Sequence, residues 1–217
     1  MLKTWFLNIL YPSRCPLCRA SVDAHGQWCR ACAATYVRPR QLRLPPSVRH
    51  VDRCYAVTPY HGPMRRLIHA LKYDGKRQYA AACHYGLRQF PWSSEIGTVD
   101  YVVPVPLAPE KEKSRGFNQT ELIFRPWSEQ YAPWADMLQR IRATASQWEL
   151  TKQERADNIK RAFTVKGSFR VTQKRILLVD DIFTTGATLE NCAAALHEKG
   201  AAAVIGLVLA SDAPVKS

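Results

Sequence analysis

The stretch Ile176-Leu177-Leu178-Val179-Asp180-Asp181-Ile182-Phe183-Thr184-Thr185-Gly186-Ala187-Thr188 decides the fold. Ile176 to Val179 are an unbroken apolar run, the pattern of a strand buried on both faces of a parallel sheet. Asp180 and Asp181 close that run, at the carboxyl end where open α/β sheets bind their ligands. Thr184 to Thr188 then bring hydroxyls and backbone N–H groups to the start of a helix, a favourable place for a phosphate. Carboxylates that accept vicinal hydroxyls, a few residues from a phosphate cradle, suit a ribose 5-phosphate.

The segment resembles the phosphoribosyl pyrophosphate (PRPP) signature of the type I phosphoribosyltransferases at every position from Ile176 to Thr188. An ordinary strand, turn and capped helix would leave the adjacent carboxylates unexplained. A metal pocket of the response-regulator kind would leave Thr184-Thr185-Gly186-Ala187-Thr188 unexplained.

Outward from this segment, apolar runs alternate with helical patterns. Cys54 to Tyr60, Tyr101 to Pro106, Phe163 to Val165 and Ala203 to Leu209 read as strands. Met64, Leu67, Ile68 and Leu71 recur at helical spacing, with Arg65 and Arg66 on the polar side. Further helices are expected over Lys76 to Phe90, from Gln119, over Thr151 to Arg161, and through Leu189, Cys192, Ala193 and Leu196, where Gly200 ends the last. This order predicts an α/β fold, a mostly parallel sheet flanked by helices.

The chain has 217 residues, 47% of them hydrophobic, enough for one such domain and a small appendage. No apolar run approaches the ~20 residues of a membrane span. The opening Met1 to Pro12 is apolar but short and lacks a small-residue cleavage site, so it reads as a helix packed on its neighbour and the protein as cytoplasmic.

The appendage carries Cys15-Pro16-Leu17-Cys18 and Cys29-Arg30-Ala31-Cys32. Two such knuckles set four thiolates around one Zn²⁺, filling its shell, so the metal is structural. Disulfides are disfavoured without an export signal. A thioredoxin-like pair lacks its βαβ context, and a zinc deaminase lacks its His-x-Glu. A module this small depends on its metal to fold. Cys54, Cys83 and Cys192 read as core residues. The Pro-rich Arg38 to Pro46 reads as a linker, which divides the chain into a zinc-ribbon-like module over 1–45 and a larger domain over 46–217.

A formal charge of +13 favours a polyanionic partner. Between Thr151 and Arg175, eight Lys and Arg face only Glu154 and Asp157. Around the knuckles, Arg14, Arg19 and Arg30 lie near Trp28, an aromatic expected to be exposed for stacking on bases. Lys72, in Leu71-Lys72-Tyr73-Asp74-Gly75, reads equally as a partner for a departing pyrophosphate and as a helix C-terminal lysine. Glu110 to Gln119 reads as a charged, mobile loop fit to close over a site; on a plain surface loop Phe117 would be exposed with no burial to favour it.

Taken in order, the paired CxxC head, Leu71-Lys72-Tyr73-x-Gly75, Pro104-Val105-Pro106, Arg115-Gly116-Phe117-Asn118-Gln119, Gln147 with Arg155 and Asn158, and the final PRPP loop resemble the ComF family. These are phosphoribosyltransferase-like proteins linked to natural competence and DNA uptake. The resemblance implies that Asp180 and Asp181 hold the ribose hydroxyls of PRPP and that Thr184, Thr185, Gly186, Ala187 and Thr188 hold its 5-phosphate. It places Lys72 near the pyrophosphate and Arg115 in a flexible hood, with Mg²⁺ arriving alongside PRPP. The implied partners are single-stranded DNA and proteins of the competence machinery. The expected activity is either phosphoribosyl transfer to a nitrogen acceptor, single-strand binding with PRPP as a regulator, or silent nucleotide sensing.

Overall fold

In the computed structural model, residues 12–141 and 162–216 are described. The expected amino-terminal helix, the helix over Thr151 to Arg161, and Gln147, Arg155 and Asn158 lie outside them. After the knuckles comes helix α1 (Arg30–Tyr36), then strands β1 (Arg40–Gln41) and β2 (Arg53–Thr58). Next are α2 (Gly62–Tyr73), α3 (Tyr79–Leu87), α4 (Trp92–Glu95), β3 (Tyr101–Pro104), α5 (Pro109–Arg115) and α6 (Gln119–Ser128). The chain continues through β4 (Leu138–Arg140), β5 (Phe163–Val165), β6 (Arg175–Phe183), α7 (Ala187–Glu198) and β7 (Ala203–Ser211).

The main sheet has the order β1-β2-β7-β6-β3. Only β1 runs antiparallel to its neighbour; β2, β7, β6 and β3 are mutually parallel. Ile176, Leu177, Leu178 and Val179 are each 0% exposed, as a central strand covered on both faces requires. On one face, Leu177 and Val179 pack with Met64, Ile68, Cys83 and Phe124 of α2, α3 and α6. On the other, Ile176 and Leu178 pack with Cys192, Leu196 and the β4–β5 pair. Cys54, Cys83 and Cys192 are buried core residues, as expected.

Three local expectations are corrected. The Pro-rich stretch is not merely a linker: Arg40 and Gln41 pair with Ala56 and Tyr55 at the sheet edge, and Leu42 is buried. The charged loop is instead a short helix, α5, with Glu110 and Glu112 in its first turn and Lys113 and Arg115 in its last. That order matches the helix dipole, and the left-handed Gly116 stops the helix. Phe117 is half-buried, with the Arg77 guanidinium 4.7 Å from its ring centre.

Trp28 is the third correction. It is 1% exposed and is not available for stacking on bases. Its ring lies 5.9 Å from that of Tyr85, and a Cβ on Gly86 would come within 3.3 Å of it. The cysteine head thus docks on α3 through an indole packed closely over Gly86. Truncating so large a buried ring costs about 3–5 kcal/mol.

Candidate functional site

The site is assembled at the carboxyl ends of the parallel strands. Here β6 runs further than its sequence suggests: Ile182 and Phe183 still pair with Ala210 and Ser211, so the carboxylates lie within the strand. Strand alternation puts Asp181 on the same face as Leu177 and Val179, under α2 and α6. It is 3% exposed and fully engaged. The Lys72 ammonium donates to its Oδ1 at 2.7 Å, and Gln119 Nε2 donates to its Oδ2 at 2.6 Å.

Lys72 stands in the last turn of α2, as the reading of a helix C-terminal lysine expects, and its head is held on Asp181. With side chains 16% and 5% exposed, this ion pair is largely desolvated. Removing one partner would strand the other, at a cost of about 3–5 kcal/mol.

Asp180 has a different environment. Its Oδ1 accepts from the Asp181 N–H at 2.8 Å and from the Thr120 hydroxyl at 3.4 Å. Desolvation, and then the neighbouring Asp181 charge, push its carboxyl up to about 8, against the opposing pull of the Asp181 N–H, Lys72 and Thr120. At neutral pH this environment favours the protonated carboxyl.

The Arg115-Gly116-Phe117-Asn118-Gln119 motif explains how α6 reaches this pair. Gly116 ends α5, and Asn118 caps α6 by accepting the Thr120 N–H at 2.9 Å. The cap aims Gln119 and Thr120 at the two carboxylates. Arg115 donates to Gln119 Oε1, and its guanidinium sits 5.5 Å from the centre of the Tyr73 ring. Lys72, Asp181, Gln119 and Arg115 are therefore joined one to the next. Sequence reasoning missed the roles of Gln119 and Thr120 at the carboxylates; an asparagine cap two residues after a glycine stop was the available signal.

Thr184, Thr185, Ala187 and Thr188 are exposed, and Gly186 is buried between them. Gly186 takes φ +79, and a Cβ there would lie 2.7 Å from both the Phe183 ring and Val48. Only glycine fits, and the turn starts α7 directly after it. Glu190 steadies the supporting loop by accepting the Arg49 and His50 N–H groups at 2.7 and 2.9 Å. The first N–H groups of α7 have no intrahelical acceptor, the Ala187 N–H lying 3.4 Å from Thr185 Oγ1, and with the threonine hydroxyls they are donors of the kind an anion accepts from.

At the other end of the chain, the Cys15, Cys18, Cys29 and Cys32 sulfurs all lie within 4.8 Å of one another. Cys18 Sγ and Cys29 Sγ are 3.5 Å apart, close to the ~3.8 Å edge of a tetrahedron with ~2.3 Å Zn–S bonds. Burial acts to raise the Cys15 thiol, but the N–H groups of Cys29, Cys18 and Leu17 outweigh it and bring it down to about 7. Burial first, then the neighbouring sulfurs, drive Cys32 in the opposite direction. All four can be thiolates only around a cation, so the donor set fits a structural Zn²⁺.

The basic segment is partly accounted for internally. Lys166 pairs with Asp136 at 2.6 Å and Lys174 with Asp100 at 2.9 Å, while the Arg175 side chain donates to the Thr98 carbonyl. Lys152, Lys160 and Arg161 lie outside the described residues. No helix among the described residues is long and apolar enough to cross a membrane.

Fold and site together define a zinc-ribbon-headed protein of the phosphoribosyltransferase type. Residues 6–42 match the double zinc ribbon domain, and residues 129–216 match the phosphoribosyl transferase domain. The chain belongs to the ComF/YhgH family. It is 31% identical over 201 residues to DNA utilization protein YhgH of Salmonella typhimurium, covering 88% of this chain and 86% of that one. It is 27% identical over 199 residues to competence protein F of Haemophilus influenzae, covering 86% and 79%. With competence protein ComFC of Bacillus subtilis the identity is 29% over 202 residues, covering 88% and 74%.

Proposed function

We propose that this chain binds PRPP with Mg²⁺ at the Asp180–Asp181 pair and the Thr184–Thr188 loop, and acts in DNA uptake by handling single-stranded DNA in the cytoplasm. The observation that carries the ligand reading is the juxtaposition of three features. They are a carboxylate pair with one member engaged by Lys72 and Gln119, a glycine-started helix N-terminus just beyond β6, and a hood arginine tied to the same pair. The DNA reading is supported by the names of the relatives and by the +13 charge.

In this reading the cradle from Thr184 to Thr188 takes the 5-phosphate through N–H groups and hydroxyls. Asp180 accepts a ribose hydroxyl and loses its proton when positive charge arrives beside it. Asp181 holds Lys72 and Gln119 in place, and Lys72 with Arg115 offsets charge on a departing pyrophosphate. Mg²⁺, bound with PRPP, supplies further neutralisation of the pyrophosphate.

A second reading, a PRPP sensor without turnover, is favoured by one observation: both Asp181 oxygens already have protein donors. The two are separated by a pyrophosphate-release assay with PRPP, Mg²⁺ and candidate bases, nucleotides and single-stranded oligonucleotides. Release with one acceptor class establishes a transferase. PRPP binding without release from any acceptor establishes the sensor.

A further inference from the structure

The outer face of α2 carries Arg65, His69 and Tyr73 at i, i+4 and i+8, one above another and all exposed. The opposite face of the helix, Met64, Leu67, Ile68 and Leu71, is buried. Facing the exposed stripe is the first cysteine knuckle, and between them lies a cleft of about 790 Å³. Arg19, Arg65, Arg66 and Lys76 line it against Asp74 alone. Asp74 itself is 3.7 Å from Lys76. Among the described residues, no carboxylate pairs with Arg19, Arg65 or Arg66. Such a concentration of guanidinium groups is self-repelling and is stabilised by a polyanion.

Arg19 is not presented at random. It takes φ 70, and its N–H donates to the Cys15 carbonyl at 2.9 Å, so the knuckle turn fixes its position. At the far end of the stripe, Tyr73 is 64% exposed. Its ring lies 4.6 Å from that of His69 and 5.5 Å from the Arg115 guanidinium. An exposed ring flanked by a second ring and a cation is a platform on which a base can stack. Arg115 is linked through Gln119 to Asp181, so the Tyr73 ring beside it stands next to the carboxylate site.

We infer that the cleft between the zinc knuckle and α2 is the track of a single-stranded polynucleotide. Its phosphates lie on Arg19, Arg65, Arg66 and Lys76, and one base stacks on Tyr73 at the mouth of the carboxylate site. The inference rests on the DNA-handling reading and locates its surface, giving the cysteine head a ligand-binding role besides its structural one. The stripe from Arg65 to Tyr73 is about 12 Å long at ~1.5 Å per residue, too long for one phosphate group. A duplex keeps its bases stacked on each other and leaves Tyr73 unused. An acidic peptide offers charge but no regular series of flat rings.

The test is fluorescence anisotropy of a labelled oligo-dT 20-mer on the full-length, zinc-loaded protein across a NaCl series. Arg65→Glu with Arg66→Glu is expected to weaken binding at least tenfold. The slope of log K against log salt should shrink by about 1.4, since each single-strand phosphate that a cation neutralises contributes ~0.7. Tyr73→Ala is expected to weaken binding about tenfold with the slope retained, as loss of stacking predicts. Both arginines are exposed, so the double variant should fold; an unchanged melting temperature and unchanged PRPP affinity verify that. Wild-type binding with the same affinity and slope in the arginine variant would overturn the cleft while leaving DNA handling intact. No strand binding by the wild type overturns both. Equal binding of duplex DNA or poly-glutamate, abolished in the same variant, overturns the choice of occupant.

Discussion

Gln119 Nε2 donates to Asp181 Oδ2 across 2.6 Å, and this one bond ties the start of α6 to the centre of the sheet. Because Arg115 donates to the same Gln119, the orientation of its guanidinium depends on a buried amide. Gln119 thus fastens Arg115 and the start of α6 to Asp181, whose other oxygen holds Lys72.

Gln119→Leu should therefore act at a distance. Asp181 keeps Lys72 but loses its second donor, a loss of about 1–3 kcal/mol. In a chain of this size each kcal/mol lowers the melting temperature by about 2–4 °C. Hydrogen exchange of residues 109–118 should also accelerate, since Arg115 loses its anchor. A melt showing the loss of stability with unchanged exchange would leave Gln119 as packing only.

Asp180 makes stability depend on pH in an unusual direction. Its folded value, about 8, lies above the ~3.9 of an unfolded aspartate, so between these values the folded state binds more protons than the unfolded one. The contribution is fully present below about pH 4 and is lost as pH rises towards 8. Asp180→Asn, which cannot ionise, escapes that loss. Thermal melts at pH 5 and pH 8 should show the variant gaining several degrees on the wild type between the two. Parallel curves would show that Asp180 titrates in the ordinary acid range.

Removing the metal should loosen the head from the body. The indole of Trp28 is held against Gly86 and Tyr85 by the cysteine module, so chelation should expose it and shift its emission to the red. One equivalent of zinc should be released per chain, and Trp28→Phe should remove most of the spectral change. Release of zinc without any change at Trp28 would mean that the head stays docked without its ion.

The parts legible in the sequence were those with strong local signatures. The apolar run ending in Asp180-Asp181 is a buried strand, with β3 and β7 paired on either side of Ile176 to Val179. The four cysteines cluster because their spacing leaves little else for them to do. Trp28 defeats a sequence reading because a tryptophan beside arginines looks alike whether it faces solvent or docks on a partner helix; its packing against Tyr85 and Gly86, far away in sequence, decides. Gln119 escapes notice for a similar reason. An amide carries no charge pattern, and its role comes from the cap at Asn118 and from Asp181, 62 residues further on. The β1 edge strand is hidden in a Pro-rich stretch, since Arg40 and Gln41 gain their pairing from Ala56 and Tyr55 and from the Lys216 N–H on the Gln41 carbonyl.

The carboxylate pair as the PRPP site is the claim on which the proposed function depends most. The most direct measurement is calorimetric titration of PRPP with Mg²⁺ into the wild type and into Asp180→Asn with Asp181→Asn, with melting curves taken in parallel. Saturable binding to the folded wild type and none to the folded double variant is the expected result. Equal affinity in both proteins would contradict it.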